Sequence, residues 1–230
     1  IGWAIGNASV GDTIFVGAGI YYEHVLVSKS LTLVGEDRST TIIDGNGTGI
    51  VVRSNASNVE IRGFTIQNGG DYPNSGILLG RWSINNTIWD NIIRNNAYGI
   101  TLINTNGCRI INNLIMNNSW AGIQIKDSNY TDVYENMMKN NSIGVTVPTE
   151  NAFNNIFYHN NFIDNLIQAS SFAPIMWDNG TEGNYWSDYN GTDADQNGIG
   201  DVPHEFQYGR DRYPLMKPFG DIAVPVAYAG

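Results

Sequence analysis

The chain has a single cysteine, Cys108, so no disulfide can form within its 230 residues. Charge is sparse too: 12 basic and 22 acidic side chains make up 15% of the residues, the net charge is -10, and Lys and Arg never form a run. A nucleic-acid binder needs a basic stripe to displace counterions, which excludes that partner class. No apolar stretch reaches the ~20 residues that span a bilayer. The longest candidate is the short tail Ile222 to Ala229. No signal peptide is visible, and Ile1 opens in what reads as the middle of an element. The expectation is a processed or excised segment that has lost its export signal.

What the chain does have is a repeat. Gly49-Ile-Val-Val, Gly76-Ile-Leu-Leu, Gly99-Ile-Thr-Leu, Gly122-Ile-Gln-Ile and Gly144-Val-Thr-Val follow one another at steps of 27, 23, 23 and 22 residues. Such a period in short strands, with no helical stretch between them, predicts an all-β solenoid coil. Ile50, Ile77, Ile100, Ile123 and Val145 should face inward, as should Val52, Leu79, Leu102, Ile125 and Val147. Val51, Leu78, Thr101, Gln124 and Thr146 between them should point out, by the two-residue alternation of a strand.

Asparagines recur after each strand, at Asn91, Asn113, Asn136 and Asn161, and again four residues on at Asn95, Asn117, Asn140 and Asn165. Asparagine tolerates left-handed backbone, and its amide can bond to its equivalent one rung away, so both columns are read as stacks at sharp bends. About seven or eight coils of three strands each would give a rod on the order of 35–40 Å long. Both rod ends need covers, because free strand edges invite pairing with another chain. Residues 1–171 are read as coils, 172–220 as a C-terminal cap and 221–230 as a tail or linker. Trp177, Tyr185, Trp186, Tyr189, Phe206, Tyr208 and Tyr213 supply the cap with aromatic cover.

Asn-x-Ser/Thr triplets occur nine times, against roughly four expected by chance from 31 asparagines and this Ser and Thr content. The excess points to a secreted, glycosylated surface protein, with Asn46, Asn55, Asn85, Asn129, Asn179 and Asn190 as acceptors. Asn117 and Asn140 are set aside as inner-column residues.

Asp193, Asp195, Asn197, Gly198 and Asp201 form D-x-D-x-N-G-x-x-D. Oxygen donors at alternate positions, with glycine at the sharp turn, suit a hard cation such as calcium, and Ile199 could add its carbonyl. The twelfth position is His204 where an EF-hand has a bidentate Glu, so a solvated acidic turn held by Asx bonds is the competing reading.

The run Gly11-Asp-Thr-Ile-Phe-Val-Gly-Ala-Gly-Ile-Tyr-Tyr-Glu23, then Leu31-Thr-Leu-Val-Gly-Glu36 and Thr41-Ile-Ile-Asp-Gly45, resembles the opening coils of NosD-like right-handed parallel β-helix proteins. The closing segment Gly183-Asn-Tyr-Trp-Ser-Asp-Tyr189, with Asp211-Arg-Tyr-Pro-Leu-Met216, is similar to the same family. That resemblance implies a right-handed parallel β-helix related to pectin lyases, of a type frequent in archaeal surface proteins. The family's name-giving members serve copper-site maturation. Soft copper ligands should cluster, whereas His24, His159 and His204 are scattered, and Met116 and Met138 read as core residues.

For catalysis, Asp90 and Glu135 share an outward column two rungs apart, with Asn112 between them. Their spacing of about 9.6 Å would lie near the upper end for an inverting glycosidase. A lyase reading rests on Asp127, Asp132 and Lys126 and is weaker. Trp82, Trp89, Trp120, Tyr130 and Tyr134 could stack on sugar rings. The leading expectation is a structural, adhesive or self-assembling rod, whose partners are other copies of itself or other surface proteins. A polysaccharide lyase or hydrolase and a glycan-binding module are the rivals.

Overall fold

The computed structural model describes residues 1–80 and 82–220; the tail at 221–230 lies outside the described residues. Three parallel sheets of seven, eight and seven strands run side by side along a rod. Each coil gives one strand to each sheet, as Thr87–Trp89, Ile92–Arg94 and Tyr98–Ile103 do in the fourth. Neighbours within a sheet are one coil apart in sequence: Ile88 lies between Ile61 and Ile110. Seven full coils are followed by an eighth strand of the second sheet, Tyr185–Trp186.

The inward columns are as the repeat predicts from the third coil on. Ile77, Ile100, Ile123 and Val145, with Leu79, Leu102, Ile125 and Val147, are all 0% exposed. The first copy of the motif is out of register. Val52, not Ile50, pairs with Ile77, and Ile50 is only half-buried while Val51 is fully buried. The residues leading into that strand form a longer connection, and Gly49 turns with a left-handed φ of 52°, so the glycine cannot mark the same rung. In the regular coils the glycine is required by close approach: a Cβ on Gly99 would stand 2.5 Å from the Gly122 carbonyl oxygen.

Two asparagine ladders run through the core. Asn91, Asn113, Asn136, Asn160 and Asn184 form the first, each Nδ2 donating to the next Oδ1 at 2.9–3.1 Å. The second is Asn96, Asn118, Asn141 and Asn165. This corrects the sequence reading by one residue: Asn95, Asn117 and Asn140 are the exposed, left-handed turn residues (φ 54–55°), and Asn160 replaces Asn161 in the first ladder. Asn117 and Asn140 are therefore not internal, and the reason for setting them aside as glycan acceptors falls.

At the N-terminal end, the helix Gly2–Asn7 lays Ile5 against the core. Lys29 Nζ donates to the carbonyls of Ile5, Gly6 and Ala8 at 3.1, 2.8 and 2.7 Å and closes that helix. At the other end Trp177 and Trp186 are 2% and 1% exposed, and Trp186 stacks on Phe162 at 4.1 Å. The first ladder stops on a carboxylate there: Asn184 N–H and Trp186 Nε1 donate to Asp211 Oδ2 at 2.7 and 2.8 Å.

Candidate functional site

The outer face of the third sheet carries a groove of about 690 Å³. Its floor is one outward column, Arg53, Leu78, Thr101, Gln124 and Thr146, set in consecutive strands of the sheet. At a strand spacing of about 4.8 Å the floor runs roughly 19 Å along the rod. Its chemistry follows from two-residue alternation. The strand neighbours of these residues face the core, so the Arg53 guanidinium, the Gln124 amide and the Thr146 hydroxyl are left on the open side, whereas Leu78 is apolar and Thr101 is buried with its hydroxyl bonded to Ser75 at 2.8 Å.

One wall is aromatic. The connection between the second-sheet and third-sheet strands of the third coil has seven residues, Asn68 to Asn74, where the next coil has three, Asn95 to Ala97. The longer connection brings Tyr72 over the sheet, its ring 5.1 Å from Trp120 and 6.0 Å from Tyr98. Tyr72 and Trp120 remain 63% and 48% exposed, so two ring faces are available to a ligand. Burial pushes the Tyr98 phenol above its ordinary range, which keeps it neutral and able to donate. Ile103, Lys126, Pro148 and Thr149 line the groove as well. Among the described residues its lining contains Arg53 and Lys126 but no Asp, Glu or His.

The residues predicted to stack on sugar do not form one strip. Trp120 belongs to the groove. Trp89 and Tyr134 are on the outer face of the first sheet, where the Arg62 guanidinium lies 5.0 Å from the Trp89 ring centre. Trp82 and Tyr130 are exposed turn residues with left-handed φ of 62° and 56°. Tyr72 and Tyr98 were missed. The 27-residue step of the repeat was the available signal, since it marks the longer connections.

Asp90, Asn112 and Glu135 do share a column, but it is a turn rather than a strand, with φ of 54°, 50° and 59°. Asp90 is held by Arg38 Nη1 at 3.1 Å, which occupies a carboxylate that general acid–base work would need free. Lys126 and Asp132 are strand residues of different sheets, the third and the first, and form no common site with Asp127.

The acidic loop is tied to itself. Asp193 accepts the N–H groups of Asn197 and Gly198 at 3.0 Å each, Asn197 Oδ1 accepts Ile199 N–H at 2.8 Å, and Asp201 accepts Ala194 N–H at 2.8 Å. Asp195 Oδ2 accepts from Asn197 Nδ2 at 3.0 Å. His204 turns away into the cap, 4.9 Å from the Trp186 ring. Among the triplet asparagines, Asn46, Asn85, Asn179 and Asn190 are exposed and Asn55 and Asn129 half-buried. Asn129 Oδ1 accepts Phe153 N–H at 2.6 Å, and Asn179 Oδ1 accepts three donors of its own turn.

A family model described as periplasmic copper-binding protein (NosD) matches residues 5–191. Among solved structures, ORF18 of Geobacillus virus E2 superposes with a TM-score of 0.57 at 16% identity, covering 76% of this chain. The chain spans 43% of that protein's length. Pectin methylesterases of Yersinia enterocolitica and carrot give TM-scores of 0.43 and 0.44 at 14% and 16% identity. They cover 76% and 75% of this chain, which spans 80% and 65% of theirs. No curated protein matches.

The family description names copper, and the donors present do not fit it. His24 uses both ring nitrogens, on the Ile50 carbonyl and the Thr48 hydroxyl. His159 pairs with Glu182 at the seventh coil, and His204 packs in the cap. Cys108 is buried, which pushes its thiol above the usual range. Among the described residues no three His, Cys, Asp or Glu side chains converge on one point, so no copper step is derived.

Proposed function

The chain belongs to the NosD family, and on that premise we propose that it is a non-catalytic adhesive rod that holds a linear carbohydrate in the groove of its third sheet. The observation that carries the reading is a groove with an aromatic wall, a floor that offers the Gln124 amide and the Thr146 hydroxyl, and no carboxylate among the described residues of its lining. Sugar rings present an apolar face to Tyr72 and Trp120 and hydroxyls to Gln124 and Thr146. Glycoside hydrolysis needs two carboxyl groups flanking the bond, and this lining offers none. The surface of Asn, Ser and Thr triplets and the family's periplasmic description support work outside the cytoplasm.

Titrating oligosaccharides into the protein tests the reading. Trp120→Ala and Tyr72→Ala should each weaken binding about ten-fold, in line with about 0.5–1.5 kcal/mol per aromatic contact beyond the area lost. Glu135→Gln should leave binding unchanged. Equal affinity in all three variants contradicts the groove assignment.

Calcium is a separate proposal. The Asp193, Asp195, Asn197, Ile199 and Asp201 loop supplies oxygen donors at alternating positions, already drawn together by its own backbone bonds. Added calcium should raise the melting temperature and protect the loop amides from exchange, and Asp195→Ala should abolish both effects. No change in either would remove calcium.

A further inference from the structure

We infer that the first sheet is a self-association face, on which a second copy of this chain packs antiparallel about a two-fold axis through the fourth strand. The face consists of two outward columns in register. One is apolar or aromatic for most of its length: Phe15, Val34, Arg62, Trp89, Ile111, Tyr134 and Tyr158, of which Val34 is buried within the chain itself. The other is polar at six of its seven positions, with charges at Glu60, Arg109 and Asp132 and a threonine, Thr87, at its centre. Outward strand positions exposed on one side need no apolar run, yet Phe15 is 64% exposed and Tyr134 stacks on Tyr158 at 5.2 Å across adjacent rungs.

Charge placement selects the partner and the register. A two-fold axis along the central strand, Thr87–Trp89, sets rung three of one copy against rung five of the other. Glu60, whose Oε1 already accepts from Arg62 Nε and Trp89 Nε1 of its own chain at 3.1 and 3.0 Å, then meets the second copy's Arg109 with its other oxygen, and Arg109 the second copy's Glu60. The same operation sets Phe15 against Tyr158, the Arg62 side chain against Ile111, and Trp89 against itself. Moving the axis one strand either way sets Arg109 against Arg109 or Glu60 against Glu60, and like charges in contact are unfavourable. Because the sheet has seven strands, the axis that pairs the charges also gives full overlap. Such an isologous contact closes as a dimer. The face is roughly 30 Å long and 10 Å wide, below the area of permanent dimers, so association is weak and reversible. The carbohydrate groove is on another sheet and stays open.

Sedimentation velocity over a wide concentration range, with cross-linking, tests the inference. The protein should move from monomer to dimer as concentration rises. Arg109→Glu should weaken the dimer at least ten-fold, and the double variant Glu60→Arg/Arg109→Glu should restore it, with circular dichroism confirming the fold of each. Thr87→Cys, at the axis, should link to itself through a short bis-maleimide, while Thr32→Cys, which faces Asp132, should not; Cys108 is buried and gives no background. A monomer at all concentrations, a dimer indifferent to Arg109→Glu, or linking by Thr32→Cys in place of Thr87→Cys would each overturn it.

Discussion

Replacing Asn136 with alanine is expected to cost about 3–5 kcal/mol, read as a drop in the denaturant midpoint at unchanged slope. The side chain is 0% exposed. Its Nδ2 donates to the Ile110 and Tyr134 carbonyls at 2.7 and 2.9 Å and to Asn160 Oδ1 at 3.0 Å. Its Oδ1 accepts the backbone N–H and the Nδ2 of Asn113, both at 3.0 Å. Alanine leaves the Asn113 N–H buried without a partner, at about 1–3 kcal/mol, and takes one bond each from the Ile110 and Tyr134 carbonyls, Asn160 Oδ1 and Asn113 Nδ2, at about 1 kcal/mol each. Asn117→Ala, one of the exposed turn residues, should cost far less, because only left-handed backbone preference is lost. Equal losses for the two variants would mean that the ladder adds nothing beyond turn geometry.

Asp211 should produce the second large effect. Asp211→Ala is expected to loosen the C-terminal cap by about 3 kcal/mol or more, since it orphans the N–H groups of Asn184, Tyr213 and the Trp186 indole. Burial is the larger influence on its carboxyl and pushes it up to about 6, against the Trp186, Asn184 and Tyr213 donors that pull it down. A carboxyl titrating near 6 when folded and near 4 when unfolded binds its proton more tightly in the folded state. Its contribution is therefore fully present below about pH 4 and is lost as pH rises toward 6, by about 3 kcal/mol. His204 works in the opposite direction. Burial holds its imidazole below the usual range, so acidification below about 6.5 disfavours the fold. Asp178, held low by Arg212 despite its burial, loses its contribution only below about pH 4. Comparing wild type with Asp211→Asn at each pH isolates the one carboxyl: the gap between them should narrow from pH 4 to pH 7. A widening gap would mean that the donors outweigh burial.

The rod was legible because its signals are periodic. A glycine before an inward aliphatic pair recurs wherever one coil's backbone must approach the next, as at Gly99 against Gly122, and the sequence shows the period directly. The first ladder was legible at Asn91, Asn113 and Asn136, and the second as a column displaced by one residue at Asn95, Asn117 and Asn140. Asn95-Asn96, Asn117-Asn118 and Asn140-Asn141 are doublets, and either member can be taken as the stacked one. Only Asp164-Asn165 breaks the tie, since an acidic side chain cannot continue an amide ladder by donating. Gly49 misled for a related reason: longer connections in the second and third coils displace the motif from the strand register. The groove was half legible. Trp120 stood out as an aromatic on a coil, whereas Tyr72 joins it only through the path of a seven-residue connection, which alternation cannot predict. The division of the stacking candidates between two sheets and the turns required coordinates.

The most direct test of the central claim is saturation-transfer NMR of an oligosaccharide series with the intact protein, followed by mass spectrometry of the recovered sugar. The account predicts transfer from aromatic side chains to the sugar ring protons, with an affinity about ten-fold weaker in Trp120→Ala, affinity rising up to about four sugar units, the length of a 19 Å floor, and the sugar recovered intact. Shortened or unsaturated products, or an affinity unchanged in Trp120→Ala, would contradict it.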